Sequence, residues 1–195
     1  MTKTVSNSQA GAGGILPREI LAALDWSDPA TLDSQGAGPG IKAWLLETGS
    51  LTKRLREVCA DRFGLEVVRE EAAALTGEEM IFLSLTDNAA LLREVSLKCN
   101  DQPCVFAQTL IPGATLTAHP WLMDLGEKPL GEALLGRDDV SRPEYDIARF
   151  DAGQAAGEPG EEREVWTRRS RFLIDRTPLL VYEVFLPAIT ELTFS

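Results

Sequence analysis

Histidine is almost absent from this 195-residue chain, His119 being the only one. A Ser-His-Asp site therefore has a single possible base, and no G-x-S-x-G accompanies it. A zinc site would have to combine His119 with distant cysteines that lack ligand spacing. Cationic charge is scarce as well. Lys and Arg number 19 against 30 Asp and Glu, a net charge of −11. That balance opposes nonspecific nucleic-acid binding, which needs a cationic field, and its general consequence is solubility. Cysteines are three: Cys59, Cys99 and Cys104. An odd, low count fits a reducing cytoplasm better than a disulfide framework. Cys99 and Cys104 flank an expected turn, so a bridge between them is open, but reduced thiols are the expectation. No apolar run is long enough to cross a bilayer. The opening MTKTVSNSQAGAGG lacks the apolar core of a secretory signal. Neither G-x-x-x-x-G-K-[ST] nor G-x-G-x-x-G opens a helix after a strand, and the Gly-rich stretches at Gly11 and Gly36 precede the folded part. Nothing points to a nucleotide, metal or covalent cofactor.

The length suits one domain with a sizeable core. Small polar residues over 1–14 read as a flexible tail, leaving 15–195 as that domain. Helices are expected around Ile20 to Leu24, over Ile41 to Glu47 with Trp44 and Leu45 inward, and over Leu51 to Arg62, capped by Ser50 and ended by Gly64. Leu65 to Glu70 reads as a strand. Leu91 to Cys99 is the clearest one, apolar at odd positions and polar at even ones. Asn100-Asp101-Gln102-Pro103 is turn chemistry, and Cys104 to Ile111 returns as the partner strand. Short helices follow between Leu116 and Leu135, with Pro129 near a helix start. A further strand runs over Tyr145 to Phe150, and Asp151 to Glu164 reads as an exposed loop. Thr167 to Pro187 forms a second hairpin about a turn at Asp175-Arg176-Thr177-Pro178. The sum is an α+β fold: a single antiparallel sheet of about six strands, with helices before it and inserted into it.

Two charges break this pattern. Arg93 stands on the apolar face of its strand with Leu91, Val95 and Leu97. Glu183 shares a face with Val181 and Phe185, because side chains two apart point the same way. A carboxylate on an apolar face is costly unless paired. Two readings stand. One is a buried structural salt bridge, or side chains reaching solvent near strand ends. The other is an internal pocket in which Arg93 binds a planar carboxylate and Glu183 bonds a hydroxyl at the far end of a small cyclic acid. Arg168, Arg169 and Arg171 are either solvated surface charge or further anion binders; Arg169 and Arg171 share a face, and Arg168 opposes them.

Six ordered blocks resemble the chorismate pyruvate-lyase family: WLLETGSLTKRLRE (Trp44 to Glu57), LLREVSL (Leu91 to Leu97), Ile111-Pro112, GEKPLGEAL (Gly126 to Leu134), WTRRSRF (Trp166 to Phe172) and PLLVYEVFLPA (Pro178 to Ala188). Together they span about residues 41–188. The resemblance implies a single-domain sheet with an internal ligand site enclosed by flap segments. It implies a cofactor-independent lyase that converts chorismate to 4-hydroxybenzoate and pyruvate for ubiquinone, working as a cytoplasmic monomer without nucleic-acid partners. It places the ligand-binding arginine on Arg93 and the glutamate on Glu183, with backbone contacts at Leu51 and Leu130. Leu51 departs from the methionine usual there, and the segment before T-K-R looks one residue longer. The loop Asp151 to Glu164 looks longer than usual and is expected to lie outside the site. Arg168 or Arg171 is expected to receive the enolpyruvyl carboxylate. The alternatives are a non-catalytic sensor of small aromatic acids on the same fold, and a structural protein built around a buried Arg-Glu pair.

Overall fold

The computed structural model describes residues 18–134, 137–151 and 164–192. The expected tail over 1–14 and almost all of the loop from Asp151 to Glu164 fall outside them. Six strands form one antiparallel sheet: β1 (Phe63–Ala74), β2 (Ala89–Cys99), β3 (Gln102–Pro112), β4 (Val140–Asp151), β5 (Glu164–Ile174) and β6 (Thr177–Phe185). Their order across the sheet is β1-β2-β3-β6-β5-β4. Four antiparallel pairs are sequence neighbours, β1 with β2, β2 with β3, β4 with β5 and β5 with β6, as in hairpin-built sheets.

Both expected tight turns are two-residue loops. Cys99 pairs with Gln102, and Ile174 with Thr177. The central residues Asn100, Asp101, Asp175 and Arg176 all have positive φ, from 45° to 75°. That is the backbone twist such hairpins require, and Asn and Asp tolerate it best among residues with a side chain. Pairing across β6 then places Val181 opposite Thr109 and Glu183 opposite Ala107 on one side, and Glu183 opposite Arg168 on the other.

Helices cover both faces. One face carries α2 (Pro39–Leu45), α3 (Leu51–Cys59) and α6 (Leu130–Leu134). Trp44, Leu45, Leu55, Val105 and Phe185 pack beneath the first two, and Ile111, Leu122, Leu134, Phe172 and Val181 beneath the third. The reverse face carries α1 (Arg18–Ala22) and α4 (Gly77–Leu83) over Leu92, Leu110, Leu180 and Tyr182. α5 (Gly113–Ala118) follows β3 and is fixed by Thr115, whose hydroxyl donates to the Pro178 carbonyl at 2.7 Å.

Several expectations are corrected. Alternation along β2 suggests solvent at its even positions, but the reverse layer buries them. Glu94 is fully buried, and Arg69 neutralises it through two bonds of 2.8 and 2.9 Å. α4 is an addition to the expected elements, although Thr76-x-x-Glu79 is a capping box and both of its bonds are formed. Gly64 does not end α3. The helix stops at Cys59, Ala60 turns the chain at positive φ, and Gly64 pairs with Lys98 inside β1. The cysteines are not all reduced: Cys59 and Cys99 form a disulfide, and Cys104 is buried and free. Packing α3 on the sheet brings its last residue to the end of β2 across 40 positions of sequence. No helix among the described residues is long and apolar enough to cross a membrane.

Candidate active site

Pairing fixes which side chains share a face. Arg93, Val95 and Leu97 of β2 lie on the same side as Ala107 and Thr109 of β3, Val181 and Glu183 of β6, and Arg168 and Phe172 of β5. All nine line one pocket. Its roof is built by Gly49, Leu51 and Thr52 at the start of α3, and by Pro129, Leu130, Gly131 and Leu134 at α6. The lining is mostly apolar, with Arg93 at one end and Glu183, Arg168 and Arg142 together at the other.

Arg93 is the cation at one end. It is almost completely buried, which an unpaired guanidinium would not tolerate. Its Nη1 donates to a Glu70 carboxylate oxygen at 2.8 Å, and its Nη2 to the Gly126 carbonyl at 2.5 Å. Glu70 is its neighbour across β1 and β2. Gly126 belongs to the segment that leads into α6, so the same arginine ties the roof to the sheet. Glu183 stands two strands and two residues away in the register, about 12 Å between Cα atoms by ordinary sheet spacings. Its Oε2 accepts from Nε of Arg168 at 2.7 Å. The Nη1 of Arg168 donates to the carbonyls of Leu45 and Glu47, at 3.0 and 2.8 Å. Arg93 and Glu183 therefore do not pair with each other. Each has its own partner, and the space between them is the pocket.

Leu51 and Leu130 open their helices. First-turn N–H groups have no acceptor within their own helix. Ser50 caps α3 by accepting from the Lys53 N–H at 3.1 Å, which leaves the earlier N–H groups to other partners. The two starts nearly touch: a Cβ on Gly131 would lie 3.3 Å from Ser50 Oγ and 3.4 Å from Thr52 Oγ1. Arg56 of α3 also pairs with Glu132 of α6 at 3.0 Å. A Cβ at position 131 would make these hydroxyls give by a few tenths of an ångström.

Of the residues expected in the site, Arg93, Glu183, Leu51, Leu130 and Arg168 meet in the pocket. Arg171 does not. It lies on the opposite face of β5, where Nη2 donates to Glu144 at 2.9 Å and Nη1 to the Phe82 carbonyl at 3.4 Å. Side chains three apart on a strand cannot both reach the pocket that Arg168 lines, so of these two arginines only Arg168 is placed there. One charged pocket residue escapes the sequence reading: Arg142. Its signal is weak, an arginine beside a proline at the start of a strand. Pairing of β4 with β5 slips between Ser141 and Glu144, and this bulge turns Arg142 inwards. Burial, and then the neighbouring Arg168, lower its pKa from the usual arginine range. Among the described residues no cluster of three or more His, Cys, Asp and Glu is placed to hold a metal ion.

Comparison with known proteins adds the following. The family model described as "Chorismate lyase" matches residues 20–193. The protein named "Probable chorismate pyruvate-lyase" of Photobacterium profundum is 37% identical over 175 residues, covering 88% of this chain and 90% of its own. The one so named in Methylococcus capsulatus is 36% identical over 162 residues, covering 80% and 99%. That of Thiobacillus denitrificans is 40% identical over 157 residues, covering 76% and 83%. Among solved structures, the C-terminal domain of the histidine utilization repressor from Pseudomonas syringae pv. tomato superposes with a TM-score of 0.51 at 12% identity. It covers 69% of this chain and 98% of that domain, a likeness of fold alone.

Proposed function

The chain belongs to the chorismate lyase family, and on that premise we propose that it converts chorismate to 4-hydroxybenzoate and pyruvate, the step that supplies the aromatic ring of ubiquinone. The observation that carries the site assignment is the separation of Arg93 from Glu183 by one apolar pocket in which each is held by a different partner. A para-substituted ring with a carboxylate at one end and a hydroxyl at the other matches that polarity.

In this reading Arg93 takes the ring carboxylate, aided by backbone N–H groups at Leu51 and Leu130. Glu183 takes the 4-hydroxyl, with Arg168 holding its carboxylate in place. The reaction removes the proton from C4 of the ring and breaks the C3–O ether bond. The C4–H electron pair completes the aromatic ring, and the ether pair leaves with its oxygen as the enolate of pyruvate. A proton then adds to the methylene carbon and gives the methyl group. Glu183, beside C4, is the residue assigned to carry that proton. Aromatisation drives the step, so the protein's contribution is to orient the ring, exclude water and stabilise the developing enolate.

The same proposal includes a cytoplasmic monomer, one domain over 15–195, and no nucleic-acid partner. Location rests on the family alone, because the Cys59–Cys99 bridge removes the argument from reduced cysteines. The test mixes purified protein with chorismate, follows 4-hydroxybenzoate by absorbance and measures pyruvate by a coupled assay. Equimolar products, lost in Arg93→Ala and Glu183→Ala, are expected. Tight binding of 4-hydroxybenzoate without turnover would replace the lyase with a sensor. Neither turnover nor binding would return both ion pairs to a structural role.

A further inference from the structure

Chorismate carries two carboxylates, and the lyase reading above places only the ring carboxylate on a dedicated arginine. The far end of the pocket holds two guanidinium groups, Arg142 and Arg168, against the one carboxylate of Glu183. Glu47 does not balance them. Its side chain is taken by Arg54 at 2.8 Å and by the Gly49 N–H at 2.7 Å. What it gives the two arginines is its backbone carbonyl, which accepts from Arg142 Nη2 and from Arg168 Nη1, both at 2.8 Å. Arg168 also spends Nε on Glu183 and Nη1 on Leu45. Arg142 has no carboxylate partner among the described residues. Its guanidinium is held over the rings of Tyr145 and Phe172, at 5.0 and 5.9 Å. A desolvated cation fixed beside another cation calls for an anion.

Ser170 supplies an independent observation. It lies on the same face of β5 as Arg168 and Phe172, opposite Val181 on one side and Tyr145 on the other. Its side chain is completely buried, and its hydroxyl has no hydrogen-bond partner among the described residues. Buried hydroxyls are nearly always bonded, because leaving one unpaired costs more than a bond contributes. Ser170 stands directly behind the lining: three of its four neighbours, Arg168, Phe172 and Val181, line the pocket, while Ser170 itself does not.

We propose that Arg142 and Ser170 form a second carboxylate subsite, which takes the three-carbon enolpyruvyl arm of the substrate. The subsite lies beside Glu183, as the chemistry requires, because the arm is attached to the ring carbon next to the one bearing the hydroxyl. Arg142 holds the arm's carboxylate through binding and bond cleavage, and keeps the departing enolate in a cationic environment. The product 4-hydroxybenzoate has no such arm and does not use the subsite.

The test compares ligands with and without the arm. Arg142→Gln is expected to raise the chorismate KM about 10- to 100-fold, as for loss of a charge-assisted hydrogen bond, and to leave the Kd of 4-hydroxybenzoate within about twofold. Arg142→Lys restores part of the loss. Ser170→Ala raises the chorismate KM several-fold while Tm stays level or rises, since an orphan hydroxyl is removed. Pyruvate inhibits the wild type in competition with chorismate and loses that effect in Arg142→Gln. An equal loss of chorismate and 4-hydroxybenzoate binding would make Arg142 a structural residue, and an unchanged KM in both Arg142→Gln and Ser170→Ala would remove the subsite. If wild-type protein binds chorismate without turning it over, the lyase reading fails. The subsite is then decided by the Kd of intact chorismate in the same variants.

Discussion

Arg93 shows how a strand can hold a cation on its apolar face. Its guanidinium is closed off by Glu70 and by the Gly126 carbonyl, so its burial is compensated before any ligand arrives. Removing it strips the pocket of its carboxylate receptor. Arg93→Ala is expected to weaken 4-hydroxybenzoate by about 3 kcal/mol, roughly 100-fold, measured by titration calorimetry. Undiminished binding would contradict the assignment. Glu79, on the reverse face, titrates for a different reason. Burial raises its pKa above the usual carboxylate value, against the lowering effect of the Thr76 N–H bond and of Arg18. Between its unfolded and folded pKa the native state keeps a proton that the unfolded chain has released, so stability falls as pH rises through the folded pKa. Glu79→Gln cannot lose that proton. Urea denaturation from pH 4 to pH 8 should therefore show the wild type losing stability relative to the variant as pH rises. A difference that does not change with pH would place the Glu79 pKa at its ordinary value. Arg93 and Glu183 are legible as residues because each puts a charge on an apolar strand face. Arg142 is not, since only the bulge in β4 aims it at the pocket.

At the scale of elements, the roof is tied to the sheet at both ends. α3 begins against α6 at the Gly131 seam and ends at Cys59, which is bonded to Cys99 at the end of β2. A crosslink spanning about 40 residues stabilises mainly by restricting the unfolded chain, by about 4 kcal/mol in the loop-entropy account. Cys59→Ser, or reduction of the wild type, is expected to lower the unfolding free energy by that order, read from urea melts with and without reductant. Equal melts would mean that the bridge contributes nothing. The strands and turns are legible, because Asn100-Asp101 and Asp175-Arg176 fall between clear apolar runs. The end of α3 is not: Gly64 has the look of a helix stop, yet the helix has already ended at the bonded cysteine.

On the scale of the molecule, both faces of one sheet are covered, and one of them holds the candidate site between sheet and roof. The two layers share every strand, so they are expected to unfold together in one cooperative transition. Saturation with 4-hydroxybenzoate at 100 times Kd should stabilise that transition by about 2.7 kcal/mol. Calorimetry with two separate transitions, or a ligand-independent Tm at saturation, would contradict the single domain or the binding site respectively.

The sequence by itself determined the hairpins, the α+β class and the family, and it marked Arg93 and Glu183. Those properties are local: alternation of period two, turn residues that accept positive φ, and ordered blocks of side chains. Tertiary structure alone decided which charges meet. Pairing across strands set Arg168 beside Glu183 and Glu70 beside Arg93. The parity of β5 sent Arg171 to the far side, and the bulge in β4 brought Arg142 in. Helix packing joined Cys59 to Cys99. Each of these depends on the register and layering of segments far apart in the chain, which no local pattern encodes.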